Sequence, residues 1–539
     1  MARNKPKCFQ ILMDFANLFK AFIGVNYLSI AFAISQSGIA LGIVGLLLIS
    51  IATVHCCHLI IKCKRELIRQ IIEDNISNEH QSPETLMKTR HLLNTTLEKR
   101  LSYGDIASLS LGKVGIILVN VSLVVTQFGF CVNYFIFLGN TFQKMFPYHL
   151  PYIAVDNSST TWTAPLPSTV HVNTDKVALS ITNSSSPLVN ILPYSFVSQS
   201  PGYIILVLLP LPIFILFGYL RSIRQLGPAS VFANLSSLVG YVAMMVYILS
   251  DFSVSDTISW AQFSTFPIFF GQVTAAFEGI GTIVPIESSM GENSRLFPHL
   301  LYLVVLLFTC VLASLGFLSY LRLGTSTAQV IIWNLQPNSM LQLVVSLVVC
   351  IGVVFTFPLQ CFPIIEIFEH LLFAPGRFCG PLKLNSSNSN NSQDEVDTVD
   401  DSDLRVNTAI TDSKEDAELC QLLQDPQAAK CLSNLPVAPE IPKSVWTVKR
   451  NILRTLIVLA QLGTAYAFKD EFAYISSFTG AIGSTMIAYI IPAVIHLKLK
   501  RHDLGIMIIC KDILLIIFGL VGGVTGVYTS VRSIIVDFQ

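Results

Sequence analysis

The 539 residues predict an all-α, polytopic membrane protein of about eleven transmembrane helices. Three observations carry that reading. Hydrophobic residues make up 52% of the chain and charged ones 13%, with a mean hydropathy of +0.61, whereas soluble domains are about one-quarter charged. Apolar runs of spanning length fall at roughly 11–34, 38–62, 114–140, 201–220, 228–250, 261–286, 297–321, 341–368, 449–468, 473–497 and 505–531. Lysine and arginine also collect on alternate connections.

With the N-terminus in the cytosol, that face holds Arg3, Lys5 and Lys7, then Lys64, Arg65, Arg69, Lys88, Arg90, Lys99, Arg100 and Lys113, and later Arg221, Arg224, Arg295, Lys498, Lys500 and Arg501. The opposite face has little beyond Lys144, Lys176, Arg322, Lys469 and Arg532. This division makes 1–10 a cytosolic N-terminus, 11–374 spans one to eight and 448–539 spans nine to eleven. The basic N-terminus leads into an apolar run too long for a signal peptide, so it reads as a retained first span.

The first run is interrupted where a membrane helix has least reason to be. Lys20, Gly24 and Asn26 fall within two turns. A lysine at bilayer depth costs several kcal/mol unless paired or hydrated, and Gly and Asn are weak helix formers. The second run carries Gly38, Gly42 and Gly45 at a spacing that suits close helix packing. It also carries His55, a candidate proton shuttle or packing residue, with His58 near its end.

The connection 63–113 reads as partly helical: Leu67, Ile68, Ile71 and Ile72 alternate with Arg69, Gln70, Glu73 and Asp74, the pattern of an interfacial amphipathic helix. Tyr103-Gly-Asp105 introduces the third span, in which Thr126 and Gln127 are polar among apolar neighbours. The outer loop 141–200 carries glycosylation patterns at Asn157 and Asn183. The sixth run holds the second interruption, Phe277-Glu-Gly-Ile-Gly281, and Glu278 is the most isolated ionisable residue in the chain. Glu287, Glu366 and Glu369 lie at span ends and read as interfacial or gating charges. Thr356 in the eighth span offers a hydroxyl to a cation or substrate, or bonds back to its own helix.

The loop 375–447 differs in kind. Asn- and Ser-rich at 385–392 and acidic over 394–403, it has the composition of a disordered segment. Within it, Glu418 precedes Leu422-Leu423 at the spacing of an acidic dileucine signal, which would take a sorting adaptor as partner. The twelve cysteines lack zinc-ligand spacing with histidine and read as small apolar residues.

Two interrupted helices at matching positions of two halves point to a transporter's binding site. Unwound backbone at Ile23, Gly24, Val25 and Asn26 would meet a carboxylate with its amides. Freed carbonyls around Phe277, Glu278, Gly279 and Ile280 would meet an ammonium group. A small neutral amino acid satisfies both. Lys20, His55, Glu278 and Thr356 are the coupling or gating candidates. A carboxyl in a low-dielectric setting favours its neutral form, which suits Glu278 to carrying a proton. A nucleotide-binding loop, a nucleophile elbow and a zinc-protease pattern are all missing from the sequence, so neither an ATP-driven pump nor an enzyme is expected. No cofactor, metal or nucleic-acid partner is expected either. The only other binders are membrane lipid and a coupling ion, H+ or Na+.

These residues resemble the amino acid/auxin permease family, and most closely its proton-coupled amino acid transporter branch. The resemblance lies in Leu18-Phe-Lys-Ala-Phe-Ile-Gly24, Gly38-Ile-Ala-Leu-Gly42, Val54-His-Cys56, Val125-Thr-Gln-Phe-Gly-Phe-Cys131, Phe269-Phe-Gly271 with Ala276-Phe-Glu-Gly-Ile-Gly281, then Pro285, Glu287 and Phe297-Pro298, Phe355-Thr-Phe-Pro-Leu-Gln360 and Ile490-Ile-Pro492. It implies a leucine-transporter-like fold, five-plus-five inverted repeats with an eleventh helix, in which spans one and six are broken. It also implies transport of small amino acids by a moving bundle of spans one, two, six and seven. Two departures stand out. Asn17 occupies a position where the proton-coupled members often have a histidine, so no proton is carried there. The outer loop also lacks those members' cysteines. The expected function is therefore a proton-coupled secondary active transporter in the plasma membrane or a lysosomal or vacuolar membrane. The alternatives are a sodium-coupled or uncoupled carrier, or an amino acid sensor signalling through 375–447.

Overall fold

In a computed structural model of the chain, the described residues are 7–76, 83–145, 148–150, 197–199, 201–220, 227–335, 339–373, 447–500 and 504–539. The chain divides into two compact units, Met1–Met145 with Tyr203–Gln539, and Phe146–Gly202. In the smaller unit, β1 (Tyr148–Leu150) and β2 (Val197–Gln199) form an antiparallel pair with Tyr148 opposite Gln199. The acceptor residues Asn157 and Asn183, the loop 375–446 and the Glu418–Leu423 signal lie outside the described residues.

The larger unit is helical. Eight of its helices are long and apolar enough to cross a membrane, or nine if one bent pair counts as a span, among the described residues. That pair is the first run. Helix α1 (Lys7–Phe22) stops at Ile23-Gly24, the chain continues as a 3-10 turn over Val25–Ser29, and α2 (Ile30–Ser37) follows at 55° to the first segment. Gly24 is extended, with φ −119° and ψ −177°. Gly38 ends α2 with φ +76°, so it is a turn residue and not the start of a packing stripe. A Cβ at Gly38 would lie 2.8 Å from the backbone of Ser259, Trp260 and Ala261, because the amides of Ile39 and Ala40 donate to Ser259 and Trp260. Gly42 and Gly45 do pack as expected, against Phe317 and Phe269.

The second span runs unbroken through α3 (Ile39–Ile76). Residues 67–74 therefore extend the span, and the expectation of a separate interfacial helix is corrected. No glycine or proline interrupts them, and their apolar stripe has a partner: Ile68 and Ile72 pack on Leu93, Leu97 and Leu101, in and just beyond α4 (Pro83–Arg100). Ser102 and Asp105 form a reciprocal capping box that starts α5 (Tyr103–Leu111). Gly112 turns the chain into α6 (Lys113–Met145).

The expected fourth span is two short helices, α7 (Tyr203–Leu208) and α8 (Leu211–Gly218), divided at Pro210. Helix α9 (Gly227–Ser250) follows. The sixth span is divided into α10 (Phe266–Ala276) and α11 (Ile280–Ser289), with less bend than the first. Then come α12 (Phe297–Leu323), α13 (Met340–Phe373) and α14 (Thr447–Ala467), the last carrying several charges near its start. The tenth span begins as α15 (Phe472–Thr479), winds as π-helix over Gly480–Ser484 and Met486–Ile490, and ends as α16 (Ile491–Leu499). Helix α17 (Ile506–Asp537) closes the chain.

Burial orders these spans. The most apolar window is 78% buried in the sixth span and 72% in the tenth, against 11% in α17. The broken sixth span and the π-wound tenth therefore form the centre, and α17 presents Leu514, Val521, Val524 and Tyr528 outward. Glycines allow the central crossing. A Cβ at Gly480 would sit 2.0 Å from the Gly271 carbonyl, and one at Gly271 2.4 Å from the Ser477 carbonyl. Because the obstruction is backbone, Gly480→Ala is expected to cost about 1–3 kcal/mol or more. Its monodisperse yield in detergent should fall well below wild type, whereas unchanged yield would mean the crossing is loose.

Candidate functional site

The two interruptions meet. A Cβ built on Gly279 would stand 3.0 Å from both the Ala21 carbonyl and the Phe22 ring. Phe22 and Phe277 each flank Phe308, with ring centroids 6.3 and 5.4 Å apart. On the α1 side, Val25 and Asn26 begin a new helical segment, so their N–H groups lack intrahelical acceptors. Asn26 is buried and its Oδ1 has no hydrogen-bond partner. On the α10–α11 side the backbone is more occupied than expected. The Phe277 carbonyl accepts from the Gly279 amide at 2.9 Å, and the Gly279 carbonyl accepts from the amide and hydroxyl of Thr282 at 3.0 and 2.8 Å. The idea of a free Gly279 carbonyl is corrected accordingly: local turn bonds fill the acceptor that helix breaking releases. Ile280 is buried in the core.

Glu278 is held from two other spans. Its Oε1 accepts from Gln127 Nε2 on α6 at 3.3 Å, and its Oε2 accepts from Ser484 Oγ at 3.2 Å. No cation pairs with it among the described residues, and neither Glu278 nor Lys20 forms an ion pair there. Gln127 Oε1 is itself buried without a partner. The carboxylate thus meets neutral donors only, beside an unfilled acceptor. Sequence reasoning singled out Glu278 and Gln127 but missed Ser484. Its only signal was the run of small residues Gly480-Ala-Ile-Gly-Ser484, and its placement depends on π winding, a feature often found at functional sites.

A cavity of about 10 Å³ lies against Ile23, Gly24 and Val25, with Tyr134, Ser237 and Thr356 opposite. That is room for about one water molecule, so an amino acid needs these elements to part. A Cβ at Gly24 would meet nothing within 4 Å. Thr356 donates its hydroxyl back to the Gly352 carbonyl at 2.8 Å, which leaves its oxygen lone pairs for the cavity.

His55 belongs elsewhere. Its Nε2 lies 2.7 Å from Lys511 Nζ, and since an ammonium only donates, His55 accepts and carries its proton on Nδ1. Lys511 Nζ is 3.0 Å from Asp512 Oδ1, near enough for an ion pair though off hydrogen-bond geometry, and Asp512 Oδ2 is 2.6 Å from His496 Nδ1. This relay crosses α3, α16 and α17, and the sequence reading missed Lys511, Asp512 and His496. The signal was present: Lys511-Asp512 is a charged pair early in a mostly apolar final run.

Two of the span-end acids, Glu287 and Glu369, form ion pairs. Glu287 binds Lys64 at 2.9 Å and Arg65 at 2.8 Å. Lys64 is fully buried and also donates to Ser288, whose hydroxyl donates to the Glu98 carbonyl. Asn293 Nδ2 donates to Asp14 on α1 at 2.9 Å. One end of the broken sixth span is thereby tied to α1, α3 and α4. Among the described residues no group of three His, Cys, Asp or Glu side chains is placed to hold a metal ion.

The profile of the family described as "Transmembrane amino acid transporter protein" matches residues 9–77, 80–169 and 180–532. Amino acid transporter AVT3C of Arabidopsis thaliana is 23% identical over 527 residues, 96% of this chain and 90% of that protein. Amino acid transporter AVT3B of the same plant is 25% identical over 370 residues, 68% of this chain and 72% of its own length. Vacuolar amino acid transporter 4 of Saccharomyces cerevisiae is 24% identical over 447 residues, 80% of this chain and 49% of the yeast protein. With nearly every span inside the match, the chain is an integral, multi-pass membrane protein that belongs to the transmembrane amino acid transporter family, the amino acid/auxin permeases, whose members are transporters and not enzymes.

Proposed function

We propose that this chain is a proton-driven secondary active transporter that moves small neutral amino acids across a membrane by alternating access. In this reading the bundle has eleven spans in two inverted five-helix repeats. The shorter helices α7–α8 and α14 serve as spans four and nine, and the basic end lies in the cytosol. The names of the relatives support amino acids as substrate, and that of the yeast protein supports a vacuolar-type membrane as residence.

The observation that carries the reading is Glu278. It sits at the interruption of the most buried span, receives hydrogen bonds from α6 and the tenth span, and has no cation partner among the described residues. A carboxylate so placed takes up charge compensation from what enters the site, either a proton or a substrate ammonium. The unpartnered acceptors Gln127 Oε1 and Asn26 Oδ1 add demand for donors. At Val25 and Asn26 the free amides of a helix start suit the substrate carboxylate. Closure about the near-empty cavity at Gly24 would exclude water, and the Glu287–Lys64–Arg65 cluster would hold the cytosolic end shut until the bundle moves.

The test is uptake of labelled alanine, glycine and proline into proteoliposomes under an inward proton gradient, an inward sodium gradient, or neither. Concentrative uptake under the proton gradient alone is expected. Concentration driven only by sodium would move the coupling to the Thr356 side, and saturable binding without flux would favour a sensor.

A further inference from the structure

We propose that the basic end of the second span forms a binding site for a membrane lipid with a phosphorylated inositol headgroup. A pocket of about 450 Å³ opens where α3 passes the start of α12 and the end of α16. Lys62, Arg65 and Arg69 of α3 and Lys500 set four cations around it, against one lining carboxylate, Glu66. Their spacing along α3 keeps them on one face, three or four residues apart.

The carboxylates at hand do not exhaust this charge. Glu66 serves both Arg69 and Lys500, the latter at 3.4 Å. Arg69 also reaches Glu73 at 3.1 Å, and Arg65 reaches Glu287. Lys62 is exposed and makes no ion pair among the described residues. Arg65 is half exposed and gives only Nη2 to Glu287, whereas Arg69, equally exposed, engages Glu66 and Glu73 through Nε, Nη1 and Nη2. Lys62 and the unspent N–H groups of Arg65, lining one concavity with Arg69 and Lys500, match phosphate oxygens, which arginine grips in a bidentate manner.

The setting favours a lipid over a free anion. The pocket floor is apolar, with Phe297, Pro298 and Ile61, and His58 packs 5.0 Å from Tyr302. Tyr302 and Leu303 are more than half exposed, and so is Ile51 on the same length of α3. The outward-facing apolar band of the bundle thus runs into the cationic pocket. From Ile51 to Lys62 is about 16 Å along the helix at 1.5 Å per residue, enough to bring acyl chains beside the band while the headgroup meets the cations. Basic pockets between spans on the cytosolic side recognise phosphoinositide headgroups through this combination, and the volume exceeds what a single phosphate fills. The site is separate from Glu278 and stands whether or not the transport reading does.

The experiment titrates full-length purified protein in detergent, followed by native mass spectrometry. The probes are short-chain phosphatidylinositol bisphosphate, short-chain phosphatidylserine and free inositol trisphosphate. Wild type should retain the bisphosphate lipid in preference to the serine lipid and to the free headgroup. Each surface cation contributes on the order of a fivefold factor to anionic lipid binding. Lys62→Gln should therefore weaken retention about fivefold, and Lys62→Gln with Arg69→Gln and Lys500→Gln more than about tenfold. The single variant changes an exposed, unpaired side chain, so it tests the site even if the triple variant fails to fold. Unchanged retention in Lys62→Gln, equal retention of phosphatidylserine, or free headgroup binding as tight as the lipid would each overturn the proposal.

Discussion

Replacing Glu278 by Gln is expected to abolish gradient-driven uptake while leaving a folded protein. The substitution keeps shape and nearly all hydrogen bonding. Ser484 can turn its hydroxyl to accept from the new amide, and Gln127 Nε2 still finds a carbonyl oxygen. What disappears is the ability to alternate between charged and neutral forms as the two sides of the membrane are sampled. Hydrogen bonds to a charged group contribute about 1.5–3 kcal/mol, so losing them from a binding step reduces affinity roughly ten- to a hundredfold. Uptake under a proton gradient should fall by at least that factor, and whatever flux remains should no longer change with pH. Exchange of internal for external substrate, which needs no net proton movement, should survive better than net uptake. The comparison is made on equal amounts of monodisperse protein in proteoliposomes across a pH series. Normal uptake with the wild-type pH profile would remove Glu278 from the mechanism.

This site was partly legible in the sequence, and the reason is local. Gly24, Asn26 and Lys20 break the rules for a membrane helix within two turns, and the chain does bend there by 55°. Glu278 beside Gly279 is the same kind of local conflict. Partners brought by other spans were not legible, because apolar runs report length and not azimuth. Gln127 was noticed only as a polar residue, and Ser484 reaches Glu278 through π winding that no local preference specifies. The relay from His55 through Lys511 and Asp512 to His496 joins α3 to two neighbouring helices, α16 and α17, with a separation of 456 residues between His55 and Lys511. Residues 67–74 fail in the opposite sense. Their amphipathic pattern is real, but the surface it faces is helix α4 and not lipid, and periodicity alone does not tell the two apart.

A different kind of charge sits on α13, where removal should damage the fold and not the transport step. Glu369 and Arg454 are each 3% exposed. Arg454 Nε donates to Glu369 at 2.7 Å, and its Nη1 donates to the carbonyls of Gly218 and Leu220 at 2.9 and 3.0 Å. Those carbonyls are the last acceptors of α8 and the residues just beyond it, which have no helical donor of their own. One guanidinium therefore closes the end of α8 and neutralises a carboxylate on α13 from its place on α14. Arg454→Leu leaves Glu369 with Arg450 alone, a more exposed partner at 2.7 Å, and orphans two carbonyls. Breaking a buried pair in this way costs about 3–5 kcal/mol, a large share of the ordinary stability of a domain. Most of the protein should be lost to aggregation on extraction, as read by fluorescence-detected size exclusion. Arg454→Leu combined with Glu369→Leu should recover part of the yield, since an apolar pair often replaces a buried ion pair at little cost. Recovery should stop short of wild type, because Gly218 and Leu220 still lack a donor. Should Arg454→Leu instead extract normally and lose only uptake, the triad would belong to the transport cycle, with the α8 end as a part that moves.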